Sequence, residues 1–121
     1  MTVDPSAETD SIFASPTDPG DSLFAALDDP AELTGRLCAI ESVSGNEAVL
    51  ADAVVEVLET ISAGPGPELE ILRDGDTIVA RTNLGRAERI VVAGHLDTVP
   101  VEHNLPPVRT RMTGEDYPDD E

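Results

Sequence analysis

An α/β fold is predicted for this chain by three features of its sequence. Two segments carry apolar residues at helical spacing behind capping residues, an Asp-Gly pair divides two short alternating runs, and "RIVVAG" is apolar without alternation. In chain order these give two helices, an antiparallel hairpin and a central strand covered on both faces, the layout of an incomplete α/β domain.

Residues 1–28 form an acidic, disordered tail. Pro, Ser, Thr and Asp dominate its first 22 positions and leave little apolar surface to offset the entropy of ordering. Leu23, Phe24 and Leu27 make a short turn that docks on the body, which occupies residues 29–121. The first helix covers residues 30–40: Asp29 is placed as N-cap, Pro30 at the first helical position and Glu32 to close a capping box, with Leu33, Leu37 and Ile40 at helical spacing. A second capping box, Ser44 with Glu47, opens the next helix. Val49, Ala53, Glu56 and Val57 lie along one line of it, and Leu50, Val54, Leu58 and Ile61 form an apolar stripe beside that line. "AGPGP" stops the helix, since Gly64, Pro65 and Pro67 cannot continue it.

"ELEILRDGDTIVART" reads as a hairpin with strands at residues 68–73 and 77–82, turning at Asp74-Gly75. A further turn centres on Gly85. Ile90, Val91, Val92 and Ala93 then make the central strand, and His95 emerges at its C-terminal end. "RTRMTGED" begins another hairpin, and the chain closes on the acidic run "GEDYPDDE".

Length and charge bound what the chain can do. At 121 residues it forms one small domain, of a size that buries roughly two-thirds of its unfolded surface. Its 25 acidic residues stand against 7 basic ones, all arginine, for a net charge of -18. Nucleic acid and anionic membrane both require clustered positive charge, so neither is an expected partner. One cysteine, Cys38, rules out a disulfide framework and a cysteine-based zinc cluster. The acidic N-terminus lacks the basic and apolar regions of a secretory signal, and no window approaches the roughly 18 apolar residues of a membrane span. A soluble, cytoplasmic protein is expected.

The chemistry-bearing stretch is "VVAGHLDTVP". A metal-bound imidazole commonly gives its other ring N–H to a carboxylate, which fixes its tautomer and orientation. Residues two apart in an extended segment point to the same side, so Asp97 can serve His95 in that way. The spacing equally suits a hydrogen-bonded polar pair where a strand meets its loop. Other candidates have simpler accounts. His103, beside Glu102, belongs to an exposed Pro-rich loop, Cys38 is read as a small buried residue of the first helix, and Ser42 and Ser44 lack a nucleophile elbow. The terminal acidic run lacks the calcium-loop pattern, and the glycines at 64 and 66 precede a strand, so they do not form a phosphate cradle.

"GHLDTVPV", the "ESVSGNEAVLADAV" helix start and "RDGDTIVARTNLGRAERIVVAGHLD" together resemble the N-terminal part of the M20 family of dinuclear zinc amidohydrolases and peptidases, over residues 30–121. The likeness runs most strongly to its actinobacterial-type succinyl-diaminopimelate desuccinylases. The resemblance implies that His95 binds one of two zinc ions, with cobalt as an alternative metal, and that Asp97 orients it. It implies hydrolysis of a small N-acyl amino acid, N-succinyl-L,L-diaminopimelate, to succinate and L,L-diaminopimelate for lysine and cell-wall synthesis. Acetylornithine deacetylase, aminoacylase and carboxypeptidase-type members share the motif. In the family the bridging aspartate, a Glu-Glu pair, a further carboxylate and a last histidine follow downstream of the motif. The 121-residue chain is therefore expected to be an incomplete or non-catalytic product, inactive by itself, with a homodimer expected only for a full-length member.

Overall fold

Three helices and one hairpin are formed within residues 18–110, the part of the chain described by this computed structural model. In order they are α1 (Pro19–Phe24), α2 (Pro30–Ala39), α3 (Ala48–Ser62), β1 (Leu69–Asp74) and β2 (Thr77–Thr82).

Asp18 starts α1 by accepting the Gly20 N–H at 2.8 Å, with Pro19 in the first turn. Helical spacing then puts Gly20 and Leu23 on one face, and both are buried. Leu23 is only 2% exposed and packs on Ala53 and Val57 of α3, with Leu33, Leu37, Ile40 and Ile61 around them. Removing that side chain from water contributes about 2 kcal/mol. Gly20 permits the close approach, because a Cβ there would meet the Cβ of Glu56 at 2.8 Å. The docking expected of Leu23 is present, but it comes from a helix lying inside the stretch assigned to the tail. Phe24 and Leu27 stay exposed and Ala26 is buried in their stead. Residues 1–17 lie outside the described residues.

Asp29 caps α2 as its sequence indicates, its Oδ1 accepting from the N–H groups of Ala31 and Glu32 at 3.1 Å each. Glu32 does not close the capping box. The Asp29 N–H is already given to the Ala26 carbonyl at 3.0 Å, and the Glu32 carboxylate instead accepts from Arg36 Nε at 3.0 Å. Arg36 also donates to the Ser22 carbonyl at 2.6 Å, tying α1 to α2. Cys38, expected to be buried, is exposed. It follows Leu37 by about 100° of helical turn, and Leu37 faces the core.

The third helix begins at Ala48, not directly after Ser44. Gly45 takes a φ of 89°, the Ser44 N–H is given to the Thr98 carbonyl at 3.2 Å, and Glu47 precedes the helix without a side-chain cap bond. The expected stripe divides between two neighbours. Leu50, Ala51, Ala53 and Val57 are buried, Ala53 and Val57 against α1, while Val54 and Leu58 face a cleft shared with Ile78 and Ala80 of β2. Beyond Ser62 the Gly-Pro segment ends the helix, and the Ser62 hydroxyl accepts the Leu69 N–H at 2.8 Å where β1 starts.

β1 and β2 pair antiparallel from Leu69↔Thr82 to Asp74↔Thr77. The two-residue loop is therefore Gly75-Asp76, one position beyond the expected Asp74-Gly75, with the positive φ of 61° at Gly75 alone. Register is reinforced by Arg81, which grips the Glu70 carboxylate directly opposite at 2.7 and 2.9 Å. Arg73 reaches across to Asp52 of α3 at 2.6 Å.

The central strand is not formed among the described residues. Residues 90–93 pair with no neighbour, and Ile90 and Val92 are 93% and 94% exposed. A strand depends on adjacent backbone to satisfy its N–H and C=O groups, and β1 and β2 pair only with each other. The α/β expectation thus holds as helices with a two-stranded antiparallel sheet. The second strand expected after "RTRMTGED", and the acidic run, lie outside the described residues.

Leu23→Ala is expected to cost about 3 kcal/mol, the usual penalty for emptying a core leucine site, read as a lower urea midpoint. A second expectation concerns the contact of Asp18 with Glu56 across the α1–α3 junction. The hydrogen bond between them, then loss of hydration and the nearby charges of Asp18, Asp21 and Asp52, raise the Glu56 carboxyl above its ordinary value. The same bond, with the Gly20 N–H, lowers that of Asp18. Glu56 therefore favours the folded chain below about pH 4.3, and that contribution is lost as pH rises through its raised value; Asp18 favours it above about pH 3.9 and loses this as pH falls. Glu56→Gln should stabilise more at pH 7 than at pH 4, measured as the shift in denaturation midpoint at each pH.

Candidate functional site

Backbone pairing across a long stretch of sequence positions the chemistry-bearing segment. Thr98 forms a parallel bridge with Val43, its N–H donating to the Ser42 carbonyl at 2.8 Å and its carbonyl accepting from Ser44. Residues 94–97 are thereby brought to a cleft of about 500 Å³. Its other walls are Glu47 and the Val54 and Leu58 face of α3, with Asp76, Thr77, Ile78 and Ala80 of the hairpin. The floor is apolar and the rim is polar.

His95 and Asp97 stand side by side on that rim. His95 Nδ1 lies 3.6 Å from Asp97 Oδ1, too long for a hydrogen bond but within ion-pair reach of a protonated imidazole. The His95 side chain is 90% exposed and that of Asp97 41%. With Nδ1 turned toward the carboxylate, Nε2 is the ring nitrogen left for an outside ligand.

Two further carboxylates reach the cleft that the sequence reading did not assign to it. Glu47, which the sequence offers as a helix cap, has its Oε1 accepting the Gly45 N–H at 2.9 Å and lines the cleft. Asp76 comes from the hairpin loop, where Arg73 lies 3.4 Å from it. The available signal was the Ser-Gly-Asn-Glu turn for the first and the acidic residue after Gly75 for the second. Glu47, Asp76 and Asp97 make the lining of the cleft acidic, with Asp76 paired to Arg73.

The remaining candidates stay apart from the cleft. His103 is exposed on a local loop with a φ of 60°, where the Glu102 N–H donates to Asn104 Oδ1 at 3.0 Å. Ser42 is buried and contributes its backbone carbonyl, while Ser44 is exposed. Cys38 does not line the cleft.

A zinc ion commonly takes four donors, at least three of them from protein. Among the described residues no three His, Cys, Asp or Glu side chains gather closely enough to hold a metal ion. His95 offers one imidazole with a carboxylate beside it, so the described residues do not by themselves fit a dinuclear zinc centre. No helix among the described residues is long and apolar enough to cross a membrane.

The chain is similar to curated proteins of one name. In two strains of Mycobacterium tuberculosis, CDC 1551 / Oshkosh and ATCC 25618 / H37Rv, the relative is provisionally named succinyl-diaminopimelate desuccinylase DapE and is 49% identical over 78 residues. That match covers 64% of this chain and 21% of the relative. The succinyl-diaminopimelate desuccinylase of Corynebacterium glutamicum is 44% identical over 78 residues, 64% of this chain and 20% of that protein. The match thus spans about a fifth of the length of the curated relatives. No family model matches the chain, and no solved structure does.

The exposure of Cys38 is directly measurable. Ellman's reagent should titrate one thiol per chain without denaturant, at the rate of an accessible cysteine; a thiol that reacts only after unfolding would place Cys38 inside, as its sequence context had indicated.

Proposed function

We propose that this chain supplies the amino-terminal portion of a metal-dependent amide hydrolase of the succinyl-diaminopimelate desuccinylase kind. The reaction is hydrolysis of N-succinyl-L,L-diaminopimelate to succinate and L,L-diaminopimelate, in the cytoplasm. The observation that carries the reading is the coincidence of two facts. The relatives bear that name at 44% to 49% identity, and the His95–Asp97 pair of this chain sits at the mouth of a cleft with Nδ1 facing the carboxylate.

In this reading His95 is a ligand to zinc, or to cobalt in its place, and Asp97 holds the imidazole in register through the other ring nitrogen. The remaining donors do not lie among the described residues. The chain by itself is accordingly proposed to be without turnover. Its partner is the small N-acyl amino acid, and a dimer is proposed only for the full-length enzyme.

The test is a chimera in which the matched 78-residue stretch replaces its counterpart in the Corynebacterium glutamicum desuccinylase. The folded chimera should hydrolyse N-succinyl-L,L-diaminopimelate. His95→Ala within it should abolish turnover, and Asp97→Asn should lower activity or metal affinity by about 10- to 100-fold. A folded chimera that leaves this substrate intact while cleaving N-acetylornithine would overturn the substrate assignment, and one indifferent to His95→Ala would overturn the role of His95.

A further inference from the structure

We infer that the turn at residues 42–47, and Glu47 within it, is the device that positions the His95–Asp97 segment over the cleft. The inference rests on the reading that His95 and Asp97 are the functional pair, but its physical content is a matter of placement and can be tested without metal or substrate.

After β2 the chain runs from residue 83 to residue 110 without a helix or ladder strand. Its apolar residues give it no anchor over most of that length: Leu84, Ile90, Val91, Val92, Val99 and Val108 are all exposed. Among the described residues, the two hydrogen bonds at Thr98 are the only backbone bonds joining this stretch to the rest of the molecule. His95 is three residues from that clamp and Asp97 is adjacent to it. His103 is five residues beyond it and outside the cleft.

The clamp exists because the turn presenting it has an unusual form. Gly45 adopts a φ of 89°, a region that β-branched side chains avoid. Asn46 N–H closes the turn on the Val43 carbonyl at 2.7 Å, which leaves the Ser44 N–H free to reach Thr98. Ser42, whose carbonyl takes the other bond, is buried at 2% exposure. Glu47 completes the arrangement by accepting the Gly45 N–H, at the step where the chain turns into α3. Because Glu47 also lines the cleft together with residues 94–97, one residue serves both the turn and the space beside His95. Glu47 is thus a positioning residue, acting on His95 through Gly45, Ser44 and Thr98.

The test uses the 121-residue chain, which has two histidines and therefore two sets of imidazole resonances. Glu47→Ala and Gly45→Val should each shift the His95 ring signals and leave those of His103 in place, while amide exchange at Thr98 speeds up by on the order of tenfold, the effect of losing one hydrogen bond. Glu47→Gln keeps an oxygen that can accept from Gly45 and should restore the parent spectrum. Gly66→Val, at a glycine with open space and no positive φ, should change neither signal. Unmoved His95 resonances in both Glu47→Ala and Gly45→Val would overturn the inference, and Glu47→Gln behaving like Glu47→Ala would overturn the role of the Glu47 oxygen. Failure of the desuccinylase chimera would leave these readouts untouched, so the two proposals fall separately.

Discussion

Leu23 of α1 lies against Ala53 and Val57 of α3, and the rest of the described chain is arranged around that helix. α3 has neighbours on two sides: α1 packs on its Ala53 and Val57 face, with Leu33 and Leu37 of α2 around that contact, and the hairpin shares a cleft with its Val54 and Leu58 face. Small residues make this possible. Ala53 on α3 and Gly20 on α1 let the helix axes come together, so a modest amount of leucine and valine suffices to close a core. Arg36, Arg73 and Arg81 each take a carboxylate partner away from that contact. Surface pairs such as Arg73–Asp52 and Arg81–Glu70 are worth little once water and salt screen them. They set geometry more than stability.

Beyond β2 the balance changes. Ile90, Val91 and Val92 have the composition of a covered strand and the exposure of a loop. The hydrophobic effect gives such a run a strong preference for cover, and no described element offers it. Its position is left to the Thr98 bridge, a pair of hydrogen bonds whose net contribution is only a few kcal/mol at most. The segment bearing His95 and Asp97 is consequently held to the rest of the described chain by few interactions.

The site reflects the same division. α3 and the hairpin supply a cleft with an apolar floor, while the segment at 94–97 supplies His95 and Asp97 at its rim. Glu47 and Asp76 add carboxylates from a turn and a hairpin loop, elements that owe their shape to Gly45 and Gly75 at positive φ. What results is one imidazole beside a carboxylate in a cleft with further acidic residues, and among the described residues no three such groups gather closely enough to hold a metal ion.

Some of this was legible in the residues alone. The Asp29 cap, the stop after Ser62 and the hairpin all depend on bonds reaching only a few positions along the chain, and local pattern determines them. The start of α3, the outward face of Cys38, the helix at Pro19–Phe24 and the unpaired state of residues 90–93 were decided elsewhere. Each turns on a contact between distant residues: Ser44 with Thr98, Leu37 with the core, Leu23 with Val57, and strand backbone with a neighbour. A sequence states which groups can bond or be buried, but only the folded chain decides which of the competing partners is within reach.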